Sequence, residues 1–275
     1  ILAPVFIFVC HWGVAGAAWA TVIGQAASAA MAVAYLPRFH NIHLQRSDFR
    51  PQPALWRRIA SLGLSNSMNQ LAITFVQIVL NNSLTYYGAQ TIYGSEIPLA
   101  TSGIVIKINA ILLAIIVGIS QGTQPIISFN YGAGKYDRVR GIYLLAVKLA
   151  LAISAVGFAA FQLFPKQIVS LFGTGDHLYF EFAVKFMRTY LFMVVVNCVQ
   201  LLSSNFFAAI GKPIRGLLLA LTRQVFFLVP LLLILPLFWG LDGLLFATPV
   251  ADFIAFVTSA LTMRAELRRL RTTPT

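Results

Sequence analysis

Charge and chemically reactive side chains are scarce in this chain. Of 275 residues, 8 are Asp or Glu, four are His and two are Cys, and charged residues make up 10%, against roughly 25% in soluble domains. So few carboxylates and imidazoles leave no His/Asp/Glu metal cluster, no Ser/His/Asp set and no paired carboxylates at matching positions, which argues against an enzyme and against catalytic residues. Cys10 and Cys198 stand alone in separate apolar segments and offer no disulfide or metal framework. His40 and His43 are spaced to share a helix face but lack a third ligand, so they read as loop polarity. No metal site and no bound cofactor is expected.

What is abundant is apolar surface. Hydrophobic residues make up 59% of the chain. A helix needs about 20 apolar residues to cross the hydrocarbon core, where lipid offers backbone groups no hydrogen-bond partner. Windows of that kind cover residues 14–36, 59–86, 97–120, 141–164, 189–210, 216–238 and 244–263, and 1–10 reads as the tail of another helix. None alternates as a barrel strand would. The expected fold is an all-α integral membrane bundle of about seven full transmembrane helices plus a partial one.

The formal net charge of +12 is distributed by loop. Alternate loops hold fourteen cations (Arg38, Arg46, Arg50, Arg57, Arg58; Lys135, Arg138, Arg140; Lys212, Arg215; Arg264, Arg268, Arg269, Arg271), and the opposite loops hold three, Lys166, Lys185 and Arg188. Cytoplasmic loops collect Lys and Arg, so the rich side is expected inside, with a cytoplasmic C-terminus in the cell (inner) membrane. This bias gives the charge a topological reason, and no nucleic-acid partner is expected.

The pattern Gly-x-x-Gly-x-x-x-Ala-Thr occurs at Gly13, Gly16, Ala20, Thr21 and again, 227 residues on, at Gly240, Gly243, Ala247, Thr248. Six helices separate the copies. Two parallel halves are therefore expected, a plan of many secondary transporters. On that plan residues 1–37 end an N-terminal lobe, 38–55 form a cytoplasmic linker, and 56–275 form a C-terminal six-helix lobe. Much of the first lobe would then precede residue 1, and this piece alone would not transport.

Polar groups at membrane depth tend to face a cavity or the bundle interior. Asn66, Gln70, Thr74, Gln77 and Asn81 recur at helical spacing, and Asn197, Gln200 and Ser204 repeat the theme on another helix. Two such stripes suggest a cleft lined by Asn66, Gln70, Thr74, Gln77, Asn197 and Gln200; hydrogen bonding between helices is the competing explanation. Three charges also fall at middle depths: Lys107, Arg223 and Asp252. Isolated charges there are costly, so Asp252 is expected to pair with Arg223, leaving Lys107 to water or another partner. That pair would either lock two helices together or change its protonation during a transport cycle.

The stretch 118–140 carries Gln121-Gly122, Gln124-Pro125 and Asn130-Tyr131-Gly132-Ala133. Locally, Pro125 is expected to end the preceding helix and Asn130, Gly132 and Gly134 to make a turn. Gly132-Ala133-Gly134-Lys135 lacks the spacing of a nucleotide-binding loop. The same stretch resembles the multidrug and toxic compound extrusion (MATE) family. Residues 204–213 with Arg223-Gln224, and 240–252, resemble the bacterial MepA-like branch. The likeness runs from the end of the fifth through the twelfth helix of a two-lobe, twelve-helix transporter.

The resemblance implies a multidrug efflux antiporter, monomeric when complete, that exports organic cations or amphipathic drugs in exchange for H+ or Na+ by alternating access. It implies that Gln121, Gly122, Pro125, Asn130, Tyr131 and Gly132 form an inner loop motif. Many family members carry acidic residues in helices 7 and 10, where this sequence has Asn69, Gln70 and Ile73, and Asn197. Ion coupling is therefore expected to lie in the other lobe. The alternatives are a lipid-linked oligosaccharide flippase of the related superfamily, which would need cations lining the cleft, and a non-transporting membrane scaffold.

Overall fold

The computed structural model describes residues 4–9, 11–35, 52–173 and 175–272, with the backbone alone at helical positions 8, 54, 57–59, 61–63, 65, 66, 271 and 272. Cys10, His40, His43 and most of the expected linker lie outside the described residues. A π-helical turn, Val5–Val9, is followed by α1 (Gly13–Tyr35), α2 (Pro53–Gly88), α3 (Glu96–Gly132), α4 (Tyr136–Leu163), the short α5 (Pro165–Ser170), α6 (His177–Tyr190), α7 (Val194–Ala209) and α8 (Pro213–Leu221). A second π turn, Thr222–Leu228, runs into α9 (Val229–Thr272). No strand occurs among the described residues. Helix α2 begins at Pro53, where proline's missing donor costs nothing, so helix already covers residues 53–55.

Lipid cannot satisfy a backbone amide, which is why these apolar stretches fold into helices. Gly13–Tyr35, Glu96–Gly132, Tyr136–Leu163 and Pro213–Leu270 are long and apolar enough to cross a membrane, and His177–Tyr190 with Val194–Ala209 form a further span bent by 50°. Helix α2, at 36 residues, is long enough, but its run of Asn and Gln keeps it less apolar than these. The chain is a multi-pass membrane protein.

The expectation that Pro125 ends its helix is corrected by the structure: α3 continues through Pro125 to Gly132. Proline removes only one donor, a loss that membrane helices tolerate when neighbouring helices hold them; in the turn before it the Thr123 hydroxyl bonds the carbonyls of Ile119 and Ser120, both at 3.0 Å. Asn130, expected in the turn, is buried inside the helix and donates from Nδ2 to the Ile126 carbonyl at 2.8 Å. The reversal comes at Gly134, where the Lys135 amide reaches the Asn130 carbonyl (2.9 Å) and the Gly134 amide reaches Tyr131 (3.1 Å). The end of α7 uses the same pair of bonds, Lys212 to Phe207 (2.8 Å) and Gly211 to Ala208 (3.2 Å).

The chain divides into two units, Ile1–Ile59 and Ala60–Thr275. In the first, Gly16 and Ala20 are the buried positions of α1. In the second, Phe182, Phe186 and Met187 of α6 pack with Phe206 and Phe207 of α7, Leu84 of α2 and Ile116 of α3, all essentially inaccessible. Lipid tails are as apolar as these side chains, so what holds the bundle is close packing and inter-helix hydrogen bonding. The Tyr143 hydroxyl and Ser203 Oγ share one such bond at 2.9 Å, and Ser128 Oγ donates to the Ala209 carbonyl at 2.8 Å.

Helix α9 breaks at Gly240, whose φ of 54° and ψ of −134° suit glycine alone. The two arms fold back on each other there. A Cβ at Gly243 would lie 2.4 Å from the Leu235 carbonyl oxygen, so the arms meet at a distance only glycine allows.

Candidate functional site: a polar pocket beside a buried ion pair

That reversal places Arg223 beside Asp252. In one continuous helix 29 residues would hold them about 43 Å apart; here Arg223 Nε donates to Asp252 Oδ1 at 2.5 Å. Their side chains are 16% and 4% exposed. Each charge is the other's chief compensation for leaving water, so the pair pins the π turn to the second arm of α9.

The π turn has a wider backbone than the α-helix around it, and such turns recur at functional sites. It presents Arg223 and Gln224 to a pocket of about 260 Å³. Asn69 and Ile73 of α2 and Leu113 and Val117 of α3 form one wall, and Asn197, Gln200, Ser204 and Asn205 of α7 form another. Asn197 sits just past the 50° bend between α6 and α7. A smaller void of about 30 Å³ lies on the far side of Arg223, lined by Asn109, Tyr190, Asn197, Thr248 and Asp252 among others. It has room for one water molecule, and Asn109 Oδ1 is buried there with no protein partner.

The polar groups of α7 serve two ends at once. Gln200 Nε2 donates to the Leu219 carbonyl (3.2 Å), Ser204 Oγ to the Gly216 carbonyl (2.7 Å) and Asn205 Nδ2 to Ser120 Oγ (2.8 Å). These bonds fix the side chains and join α7 to α3 and α8.

The structure brings Asn197 and Gln200 to the pocket with Arg223, and Asp252 to the small void beside it. Gln70, Thr74 and Gln77 are exposed and do not line it; the pocket meets α2 at Asn69 and Ile73 instead. One residue along a helix is a rotation of about 100°, so the expected stripe is turned toward the outer surface of this unit. The Asn66 side chain lies outside the described residues. Lys107 is exposed on α3 with no ion pair among the described residues. Gln121, Gly122 and Pro125 are spread along the exposed side of α3, while Tyr131 packs edge-on against Tyr136 at 5.6 Å. Periodicity alone did not single out Asn69, Asn205 and Gln224, although Asn205 and Gln224 belong to the motifs that carry the family resemblance.

Residues 67–234 match the MatE family model, well over half of the chain. The chain belongs to the MatE family. It is similar to the multidrug export protein MepA of Staphylococcus aureus, at 24% identity over 95% of this chain and 56% of that protein. It is also similar to MepA of Staphylococcus haemolyticus, at 25% identity over 92% and 54%. It thus spans about half the length of the curated relatives it matches. Its fold matches a MOP superfamily transporter from Pyrococcus furiosus with a TM-score of 0.85, 23% identity and coverage of 99% of this chain and 60% of that one. It matches a MATE transporter in the straight conformation with a TM-score of 0.84, 24% identity and the same coverage. The fold is that of a MATE transporter over the part present, and the chain is a MatE family member of the MepA type.

Proposed function

We propose that this chain forms the larger part of a multidrug efflux antiporter that exports amphipathic drugs or organic cations in exchange for H+ or Na+ by alternating access. The observation that carries the reading is the amide-rich face of α2. Gln70, Thr74 and Gln77 are exposed in mid-helix, next to Met68 and Phe75. Amides at membrane depth are tolerated where they face water or protein rather than lipid. A cleft between two lobes meets that requirement, and its mix of amides, Met and Phe suits bulky amphipathic cargo. That the MepA relatives are multidrug export proteins supports the same reading.

In this reading Asn197 and Gln200 anchor cargo at the pocket, and Arg223–Asp252 holds the helices that shape it. None of the amides that line the pocket can take up a proton or carry a full charge, so we place the coupling carboxylate in the other lobe. The basic loops and the C-terminus lie on the cytoplasmic side, and the complete protein works as a monomer. The flippase reading needs free cations around the pocket to hold a pyrophosphate; Arg223 lines it but is already engaged by Asp252.

Efflux of a fluorescent organic cation from cells expressing the complete transporter tests this. N197A/Q200A is expected to slow efflux about tenfold, the effect of losing roughly 1.4 kcal/mol of binding, with unchanged membrane abundance. D252N is expected to leave the pH dependence of efflux in place. Wild-type rates in N197A/Q200A would remove the pocket from the transport path, and loss of pH dependence in D252N would move coupling into this lobe.

A further inference from the structure

Away from the pocket, a groove lies between α4 and α9. It encloses about 410 Å³ and is lined by Arg140, Tyr143, Leu144 and Val147 on α4 and by Ala260, Met263, Arg264, Leu267 and Arg268 on α9. The α4 residues follow i, i+3, i+4, i+7 spacing and those on α9 follow i, i+3, i+4, i+7, i+8, so each set occupies one helix face. The two helices run past each other in opposite directions, which gives the groove a polarity. Its arginines collect at one end, and Val147 and Ala260 lie one to two turns deeper, about 6–10 Å along the helices. Tyr143 and Met263, 4% and 3% exposed, form its floor, and Leu144 forms an exposed apolar edge.

Among the described residues no acidic side chain lines the groove. Arg140 and Arg264 are exposed and have no carboxylate partner among the described residues. Two acids lie nearest in sequence, Glu266 and Asp137. Glu266, on the adjoining face of α9, is 5% exposed and bonded to Lys212 and to Arg215, the latter at 3.1 Å. Asp137, one turn before Arg140, is exposed and forms no ion pair among the described residues.

A cationic rim above an apolar slot matches a molecule with an anionic head and a hydrocarbon tail. We propose that this groove binds one anionic phospholipid, its phosphate held by Arg140 and Arg264 and an acyl chain laid along Leu144, Val147 and Ala260. Basic pockets between transmembrane helices recognise anionic headgroups in this way. A water-soluble phosphate would use the rim alone and leave the slot unfilled. The inference requires only that α4 and α9 cross a bilayer and does not depend on the export reading.

The test is native mass spectrometry of the intact chain, released from detergent with equal amounts of phosphatidylglycerol and phosphatidylcholine. Phosphatidylglycerol is expected to be retained about tenfold in preference, each arginine near the surface adding a factor of several. R140A/R264A should bring the ratio to about one, whereas K135A/R138A should keep it. V147W should reduce retention of phosphatidylglycerol by narrowing the slot, and glycerol phosphate at matched concentration should not displace the lipid. Equal retention of the two lipids by the wild type would overturn the proposal. So would an equal loss in K135A/R138A, which would indicate general surface charge, or full displacement by glycerol phosphate, which would indicate a headgroup-only anion site.

Discussion

The two copies of the glycine pattern fold alike and end differently. In both, a tryptophan precedes the first glycine, Trp12 and Trp239, and both indoles are largely exposed. Gly13 and Gly240 take φ values of 53° and 54°. In both, the second glycine meets a backbone carbonyl across the turn: a Cβ would lie 2.8 Å from Phe6 O at Gly16 and 2.4 Å from Leu235 O at Gly243. The alanine is buried in each, Ala20 at 8% and Ala247 at 0% exposed. Beyond the alanine the copies part. Thr21 is exposed and bonds its own helix, donating to the Ala17 carbonyl at 3.0 Å, whereas Thr248 is buried and lines the small void with Asp252. The position equivalent to Asp252 in the first copy is Gln25, which is exposed. One backbone solution thus serves two chemistries, and the charge belongs to the second copy.

The largest effect should come from that charge. D252A leaves Arg223 buried without its partner, and about 3–5 kcal/mol of stability is expected to be lost, read as the unfolding midpoint in detergent. Q25A at the equivalent exposed position is expected to change it by about 0.5 kcal/mol or less. R223L/D252L should restore most of the loss, because an apolar pair of similar volume carries no desolvation cost. Equal effects of D252A and Q25A would abolish the distinction between the copies.

A smaller difference should separate the second glycines. G243A forces a methyl against the Leu235 carbonyl and is expected to cost about 1–3 kcal/mol; G16A, with a few tenths of an ångström more room, should cost less by the same measurement. A greater loss in G16A would mean that the first turn, not the second, is the tighter junction. The smallest difference is expected at the first glycines. G240A and G13A impose the same positive φ on alanine, so each should cost about 1–3 kcal/mol and the two should agree closely. Divergence between them would show that the shared backbone matters in one copy only.

Much of this architecture is legible in the chain, because a bilayer allows few solutions. Runs such as 97–120 and 141–164 must be helices, and the depths of Arg223 and Asp252 follow from their distance along such runs. The repeat marks both turns because glycine takes that φ with least strain and allows that close approach. Pro125 is misleading because proline's effect on a membrane helix depends on the helices packed around it, and α3 continues past it to Gly132. The pocket's use of Asn69 in place of Gln70 was hidden for a different reason. A periodic stripe shows that a helix has a polar face, but its neighbours decide where that face points. The π turn at Thr222–Leu228 has no mark in the composition of that stretch.

The sequence by itself determined that this is a helical membrane protein, where its spans run, and that two distant turns share one backbone. Those follow from local rules: apolar length and the steric freedom of glycine. The tertiary structure alone decided which amides share a pocket, how Arg223 meets Asp252 across the reversal at Gly240, and which arginines gather above the apolar groove. Each of those depends on the rotation and approach of packed helices, which no single stretch of chain encodes.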